Sequence, residues 1–354
     1  MNRLHPASSR ADGFILAATL WIVVILAIVG AYITSWVGAG LERGYVRQAK
    51  VEAFRTSEEV RATAMFWFST RYLSQRGLEV QSGADLSIAA QRDPFSAPGR
   101  GQTFVALDDR PYRLGRSLVH LQDVRGLLNI NSGDDNDWYQ MLGFYGVAAQ
   151  DRGPMLAKLH DYIEQGPYKR LNGAKAKDYL AAGMPPPTGM NLVTPWELRH
   201  VLDWDKVDPA GFGRSGLYEQ VTTSQTAGLN LNTAPASVLA LLPGANDTVI
   251  KSLIAARQKR AFINNADVEA VTQWPVPLRE LGYFYLPLNS VRISITTPGD
   301  PLERVIAMHL TPASQETPWQ FDYAFDVPPF ADHSPRDSLE ILDFPDPTHP
   351  PPSS

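Results

Sequence analysis

Hydrophobic rhythm changes three times along this chain. Residues 14–29 read FILAATLWIVVILAIV, and no acidic or basic side chain stands between Asp12 and Glu42. A helix needs about 20 apolar residues to cross a bilayer, whereas a secretory signal has a shorter apolar region of ~7–15 residues. The run therefore predicts a single membrane anchor. Its direction stays open, because Arg3 and Arg10 precede the run while Arg43, Arg47, Lys50 and Arg55 follow it. Counted alone, those basic flanks put the C-terminal side in the cytoplasm.

A helical period continues beyond the anchor. Tyr45, Ala49, Ala53, Val60, Ala64, Phe68 and Tyr72 share one face, with Lys50, Glu52, Arg55, Glu58, Glu59 and Arg61 elsewhere. No proline interrupts residues 14–73, so anchor and stem read as one helix over about 14–75. After Gly77 the period becomes two. Thr103 to Leu107, a turn at Asp108 to Pro111, and Tyr112 to Val124 read as a hairpin. The same alternation returns at Val291, Ile293 and Ile295. A turn at Thr297 to Pro301, a partner strand at Arg304 to Leu310, and an edge strand at Trp319 to Phe325 follow.

Between these two sets, residues 132–286 are helical and loop-rich. The chain predicts an α+β fold: a long N-terminal helix packed on an antiparallel sheet, with sheet segments at 76–131 and 287–325 split by a large helical insertion. An internal repeat organises the insertion, since LNINS at Leu128 to Ser132 recurs as LNLNT at Leu229 to Thr233. The same offset lays Trp138 on Leu239, Met141 on Leu242 and Gly143 on Gly244. The two units, near 128–165 and 229–272, resemble SAM-like or helix-hairpin-helix modules. That likeness opens a nucleic-acid reading in which Lys251, Arg257, Lys259 and Arg260 would contact phosphates. Against it stand Asn246 where the tightest hairpin would have glycine, the neighbouring Asp247, and the acidic entrance of the first unit at Asp134, Asp135 and Asp137. Asp137 is read as a helix cap. A compact packing module is the preferred reading.

Composition narrows the chemistry. The 354 residues include no cysteine, which excludes disulfides, thiolate metal sites and cysteine nucleophiles. The seven histidines are scattered, with no HExxH pair, nucleophile elbow or phosphate-binding glycine loop, so no enzyme is expected. The formal charge of −5 is local. Residues 326–354 carry eight prolines, six acids and one arginine, so 6 − 1 accounts for all of it. That segment reads as an acidic, disordered tail. The mean hydropathy of −0.19 averages a lipid-embedded helix with a water-soluble body.

Gly13 followed by Phe14 and an apolar helix looks like a type IV prepilin-like signal, cut between the two residues and methylated at the new terminus. His120 to Asn131 (HLQDVRGLLNIN) resembles the segment by which minor pseudopilins of the K type enter their helical insertion. Asp161 to Glu164, Asn172 to Ala174, Pro185 to Pro187, Trp196 to Leu198, and Leu229 to Pro235 follow in that family's order. Over most of residues 13–325 the chain is thus similar to the general secretion pathway protein K family of type II secretion. The resemblance implies a pilin-like sheet and a non-enzymatic subunit at the pseudopilus tip, serving pseudopilus assembly and protein export. It implies a single-pass inner-membrane anchor with the globular part in the periplasm.

As partners it implies the I- and J-type minor pseudopilins, the prepilin peptidase and the inner-membrane assembly platform, with secreted cargo or the outer-membrane channel beyond them. Nucleic acid is not expected. Ala18 stands where most pseudopilins carry a glutamate, and that absence resembles the K type; Ala49 and Ala53 are the stem positions assigned to assembly. The family's acidic calcium loop would follow the stretch matched by Asp161 and Glu164, the two candidate metal residues. Here Gln165, Lys169, Arg170 and Lys175 occupy that neighbourhood, with Lys175 where a glutamate would be expected, which argues against calcium. No other cofactor is expected.

Overall fold

The computed structural model describes residues 12–80, 103–207, 216–224, 226–279, 281–327 and 340–345. The leader up to Ala11 and most of the acidic tail lie outside them. By contact the chain divides into Met1–Arg55 and Thr56–Ser354. One helix, α1 (Asp12–Thr70), begins in the first unit and ends in the second. It stops short of the expected residue 75, where Leu73–Ser74 (β1) and Gly77–Val80 (β2) turn back as a small hairpin and Thr103–Val105 (β3) adds a third strand.

The main sheet of the second unit has six strands. It is built from β4 (Asp108–Leu114) and β5 (Ser117–Asp123) before the insertion. Inside the insertion lie β6 (Leu128–Asn129), α2 (Asp135–Phe144), α3 (Ala149–Ile163), α4 (Ala176–Ala181), β7 (Val221–Thr222), β8 (Leu229–Asn230), α5 (Ala236–Leu239), α6 (Asp247–Lys259), α7 (Asn265–Thr272) and β9 (Tyr283–Phe284). The sheet resumes with β10 (Ser290–Thr296), β11 (Glu303–Leu310) and β12 (Trp319–Val327), and β13 (Leu342–Asp343) closes the chain. Strand order is β12-β11-β10-β5-β4-β13, antiparallel throughout except for β13 beside β4. The fold is α+β, as the alternation of periods implies.

Two sequence expectations move. The hairpin turn expected at Asp108 to Pro111 is instead the start of β4, where a register shift lets the strand continue past Pro111. The reversal occurs at Gly115, whose φ of +60° suits the first position of a two-residue hairpin loop. Within the tail expected to be disordered, residues 340–345 are placed against the sheet. Leu342 pairs with Tyr112, Asp343 with Arg113, and Phe344 is buried.

The helix and sheet share one core. Val60, Ala64, Trp67 and Phe68 of α1 pack on Tyr112, Val119, Leu121, Val291, Ile293 and Ile295. These positions alternate along β5 and β10, placing every second side chain toward the helix. The insertion has a separate core around Trp138, Met141, Leu142, Leu159, Tyr179, Trp204, Leu239 and Leu253. Trp138 and Trp204 meet edge to face at 5.6 Å.

The repeat has a structural meaning. Leu128–Asn129 pairs in parallel with Val221–Thr222, and Leu229–Asn230 pairs in parallel with Tyr283–Phe284. In each copy the first asparagine closes a local turn. Asn129 accepts from the amides of Asn131 and Ser132, and Asn230 from that of Asn232. The second asparagine pins a distant segment. Asn131 exchanges two hydrogen bonds with Leu192, while Asn232 bonds Phe262 twice and Tyr285 once. Trp138 and Leu239, and likewise Met141 and Leu242, are buried equivalents.

Candidate functional site

The N-terminal helix is the first candidate functional element. Over Leu16–Thr70, α1 holds an 18-residue window of mean hydropathy 2.5, none of it buried, and is long and apolar enough to cross a membrane. Leu20, Trp21, Ile22, Val23, Leu26, Ile28 and Ile33 are all exposed. The two threonine hydroxyls of its apolar stretch are satisfied within the helix, Thr19 by the Leu16 carbonyl at 2.9 Å and Thr34 by that of Gly30 at 2.8 Å. This is the condition lipid imposes on polar groups. Gly13 and Phe14 fall in the first turns of α1. Ala18 is half-buried and Ala49 exposed, while Ala53 is fully buried, so of the two stem alanines Ala49 is the one with a free surface.

The second element is the loop that follows α3. Asp161 is fully buried at the end of that helix, and the 3.1 Å amide of Arg170 donates to its carboxylate. The Arg170 guanidinium reaches Asp161 at 3.3 Å and grips Glu164 through both nitrogens at 2.5 and 2.6 Å. That bond holds the Glu164 carboxyl below its ordinary pKa. The Lys175 ammonium donates to the backbone carbonyls of Asp161 and Glu164 at 2.8 and 2.9 Å and lies 4.0 Å from the Asp161 carboxylate. It caps the negative end of α3. Gly173 is required here, because a Cβ would stand 1.9 Å from Asp161 Oδ2.

Carboxylates and carbonyls of this kind suit a hard divalent cation. Here, however, an ammonium and a guanidinium already neutralise them, and the residues do not fit calcium. Among the described residues, no three of His, Cys, Asp and Glu gather as a metal-holding group.

The candidate phosphate contacts are only partly at the surface. Asn246 caps α6, its side chain accepting from the amides of Thr248 and Val249 at 3.0 Å, so the hairpin amides are already taken. Arg257 turns inward, is almost fully buried, and donates to the carbonyls of Leu231 and Ala234 at 3.0 and 2.7 Å. Arg260 lies 3.6 Å from Asp267. Lys251 and Lys259 are exposed.

Asp137 is not the helix cap. Asp134 fills that place, accepting from the Asn136 amide at 2.8 Å, while Asp137 is buried against the Arg279 guanidinium. Burial, more than that arginine, sets the Asp137 pKa and raises it. Sequence reasoning could not pair residues so far apart.

Ser224, His309 and Asp322 meet beside a cavity of about 560 Å³ also lined by Leu192, Ser290 and Asn289. Asp322 lies between the other two, with Ser224 Oγ at 2.5 Å and His309 Nδ1 at 2.6 Å. A hydrolytic triad needs histidine between the hydroxyl and the carboxylate. This order ties β11 and β12 to the insertion and gives Ser224 no histidine base.

Asp123 is the structural hub that sequence reasoning missed. Fully buried at the end of β5, it accepts from Asn230 (2.9 Å), Thr233 (2.8 Å) and the amides of Arg125 and Leu288 (both 3.1 Å). It joins both sheet segments to the second repeat.

No family model matches the chain, and no curated protein matches it in sequence. Among solved structures it is similar to a chain of the GspK-GspI-GspJ complex from the enterotoxigenic Escherichia coli Type 2 Secretion System. The TM-score is 0.45 at 15% identity, over 80% of this chain and 99% of that one.

Proposed function

We propose that this chain is a K-type minor pseudopilin of type II secretion, a non-enzymatic tip subunit working in pseudopilus assembly and protein export. The observation that carries the reading is the continuity of α1. One helix supplies an apolar, lipid-compatible segment and, without a break, the residues Val60 to Phe68 that cover the sheet. A bulky helical insertion splits that sheet, as the resemblance in the sequence implies for the K type. The apolar N-terminal part of α1 anchors the protein in the inner membrane and the globular part lies in the periplasm. The I- and J-type minor pseudopilins are its neighbours, with the prepilin peptidase and the inner-membrane platform acting before them. Secreted cargo and the outer-membrane channel are the contacts assigned to the insertion.

Ala18 fits a terminal position. A carboxylate within lipid is costly unless paired, and a subunit with no predecessor offers it no amine. The processing claim is tested by amino-terminal mass spectrometry of the chain made with and without a prepilin peptidase. The expected product starts at a methylated Phe14 only when the peptidase is present. A chain left uncut under both conditions overturns the reading.

A further inference from the structure

Without its last described segment, the sheet would end at β4. Residues 340–345 cover that edge. Leu342 and Asp343 run parallel to β4, and the Phe344 amide donates to the Arg113 carbonyl at 2.7 Å. Phe344 enters a slot between α1 and the sheet, edge-on to Trp67 at 5.2 Å and to Tyr112 at 5.9 Å. It is 5% exposed.

Beside Leu342 opens a cavity of about 350 Å³. Arg76, Arg110 and Arg257 line it against a single carboxylate, Asp108. Arg110 holds Asp108 through two hydrogen bonds at 2.8 and 2.7 Å. The buried Arg257 keeps its Nε without a hydrogen-bond partner among the described residues. The cavity thus holds more cationic than anionic side chains, and Leu342, which lines it, belongs to an acidic stretch in which the exposed Glu340 and Asp343 flank the apolar pair and Asp346 follows in sequence.

An unpaired strand edge with an adjoining hydrophobic slot is how sheets accept extended peptides: ladder bonds give affinity, and alternate side chains give specificity. The ladder here involves two residues of β13, so a single aromatic anchor carries most of the attachment. We propose that the β4 edge, the Trp67–Tyr112 slot and the arginine-lined cavity form a peptide-acceptor site. It takes an acidic, extended segment of a partner protein with an aliphatic residue two positions before an aromatic one. The chain's own residues 340–345 fill the site in cis and so keep the edge covered until such a segment displaces them.

The test uses the full chain in detergent, the same chain ending at Val327, the full chain carrying Phe344→Ala, and a fluorescent peptide of residues 338–347. The peptide should bind the shortened chain and the Phe344→Ala chain saturably, and the intact chain at least tenfold more weakly. A peptide carrying Phe344→Ala should lose at least tenfold in affinity. Circular dichroism melts establish that the variants are folded. Absence of binding to both variants, or equal binding to all three chains, overturns the proposal. A failure of the shortened and Phe344→Ala chains to fold also overturns it, because a site that cannot be vacated accepts nothing in trans. Dimers of the intact chain that disappear on Phe344→Ala would instead make a second copy the occupant, and overturn the assignment to a partner protein.

Discussion

At the scale of single residues, buried polar groups tie the insertion to the sheet, beside the apolar contact of Trp196 with Phe325. Asp123 concentrates four donors from three parts of the sequence on one carboxylate. Its replacement by alanine strands those donors in the interior, where each unsatisfied group costs about 1–3 kcal/mol. Asp123→Ala should lower stability by about 3–5 kcal/mol in chemical denaturation. Burial raises the Asp123 pKa against the pull of the Leu288, Thr233, Asn230 and Arg125 donors. A raised folded-state pKa means the contribution is complete below the ordinary carboxylate value and is lost as pH rises through the folded one. The stability advantage of the native chain over Asp123→Asn should therefore shrink as pH is taken from acid to neutral. An advantage that grows over that range would show the carboxylate to be stabilised in its ionised form. The repeat of LNIN and LNLN was legible as a pattern. The task of each asparagine was not, because Leu192, Phe262 and Tyr285, which the second asparagines hold, are set only by the fold.

At the scale of elements, periodicity found the long helix and the strands β5, β10, β11 and β12, although β5 and β10 are buried on both faces. It misplaced one turn. Asp108 to Pro111 has turn chemistry, yet the bidentate Arg110–Asp108 pair holds these residues at the sheet, and Gly115 makes the reversal. The Asp161 loop was half legible: the charge reversal at Lys175 was visible, but not that its ammonium would bond two carbonyls at the end of α3. That arrangement makes a built-in cation the structural substitute for an ion. Lys175→Met should destabilise the insertion by about 1.5–3 kcal/mol, the range for hydrogen bonds involving a charged group. Calcium and chelators should leave the melting temperature of the native chain unchanged. A calcium-dependent rise of several degrees in the native chain would show that the carboxylates release Arg170 and Lys175 for the metal.

At the scale of the whole Thr56–Ser354 unit, one apolar core lies in the insertion and another between α1 and the sheet. Asp123 ends β5 and Val291 lies at the start of β10, and the two are direct partners in the ladder. Paired antiparallel residues have Cα atoms about 4.5–5.5 Å apart, a gap that a few residues span. The insertion thus leaves and re-enters the sheet at almost one point, and its apolar core is built from its own residues. The helix–sheet core draws on α1, β2 to β5, β10, β11 and Phe344 and takes no residue from α2 to α7. Replacing residues 127–287 with a short Gly-Ser loop should therefore turn β5 and β10 into a simple hairpin and leave α1 packed on the sheet. The shortened protein should melt cooperatively at a lower temperature, because Asp123 loses Asn230 and Thr233 while the β5–β10 ladder remains. It should also keep the near-ultraviolet circular dichroism of Trp67 and Tyr112, which report on that core. A broad melt with no near-ultraviolet signal would mean that the insertion is needed to fold the sheet, and that the split is one cooperative body rather than a module set into a sheet that stands without it.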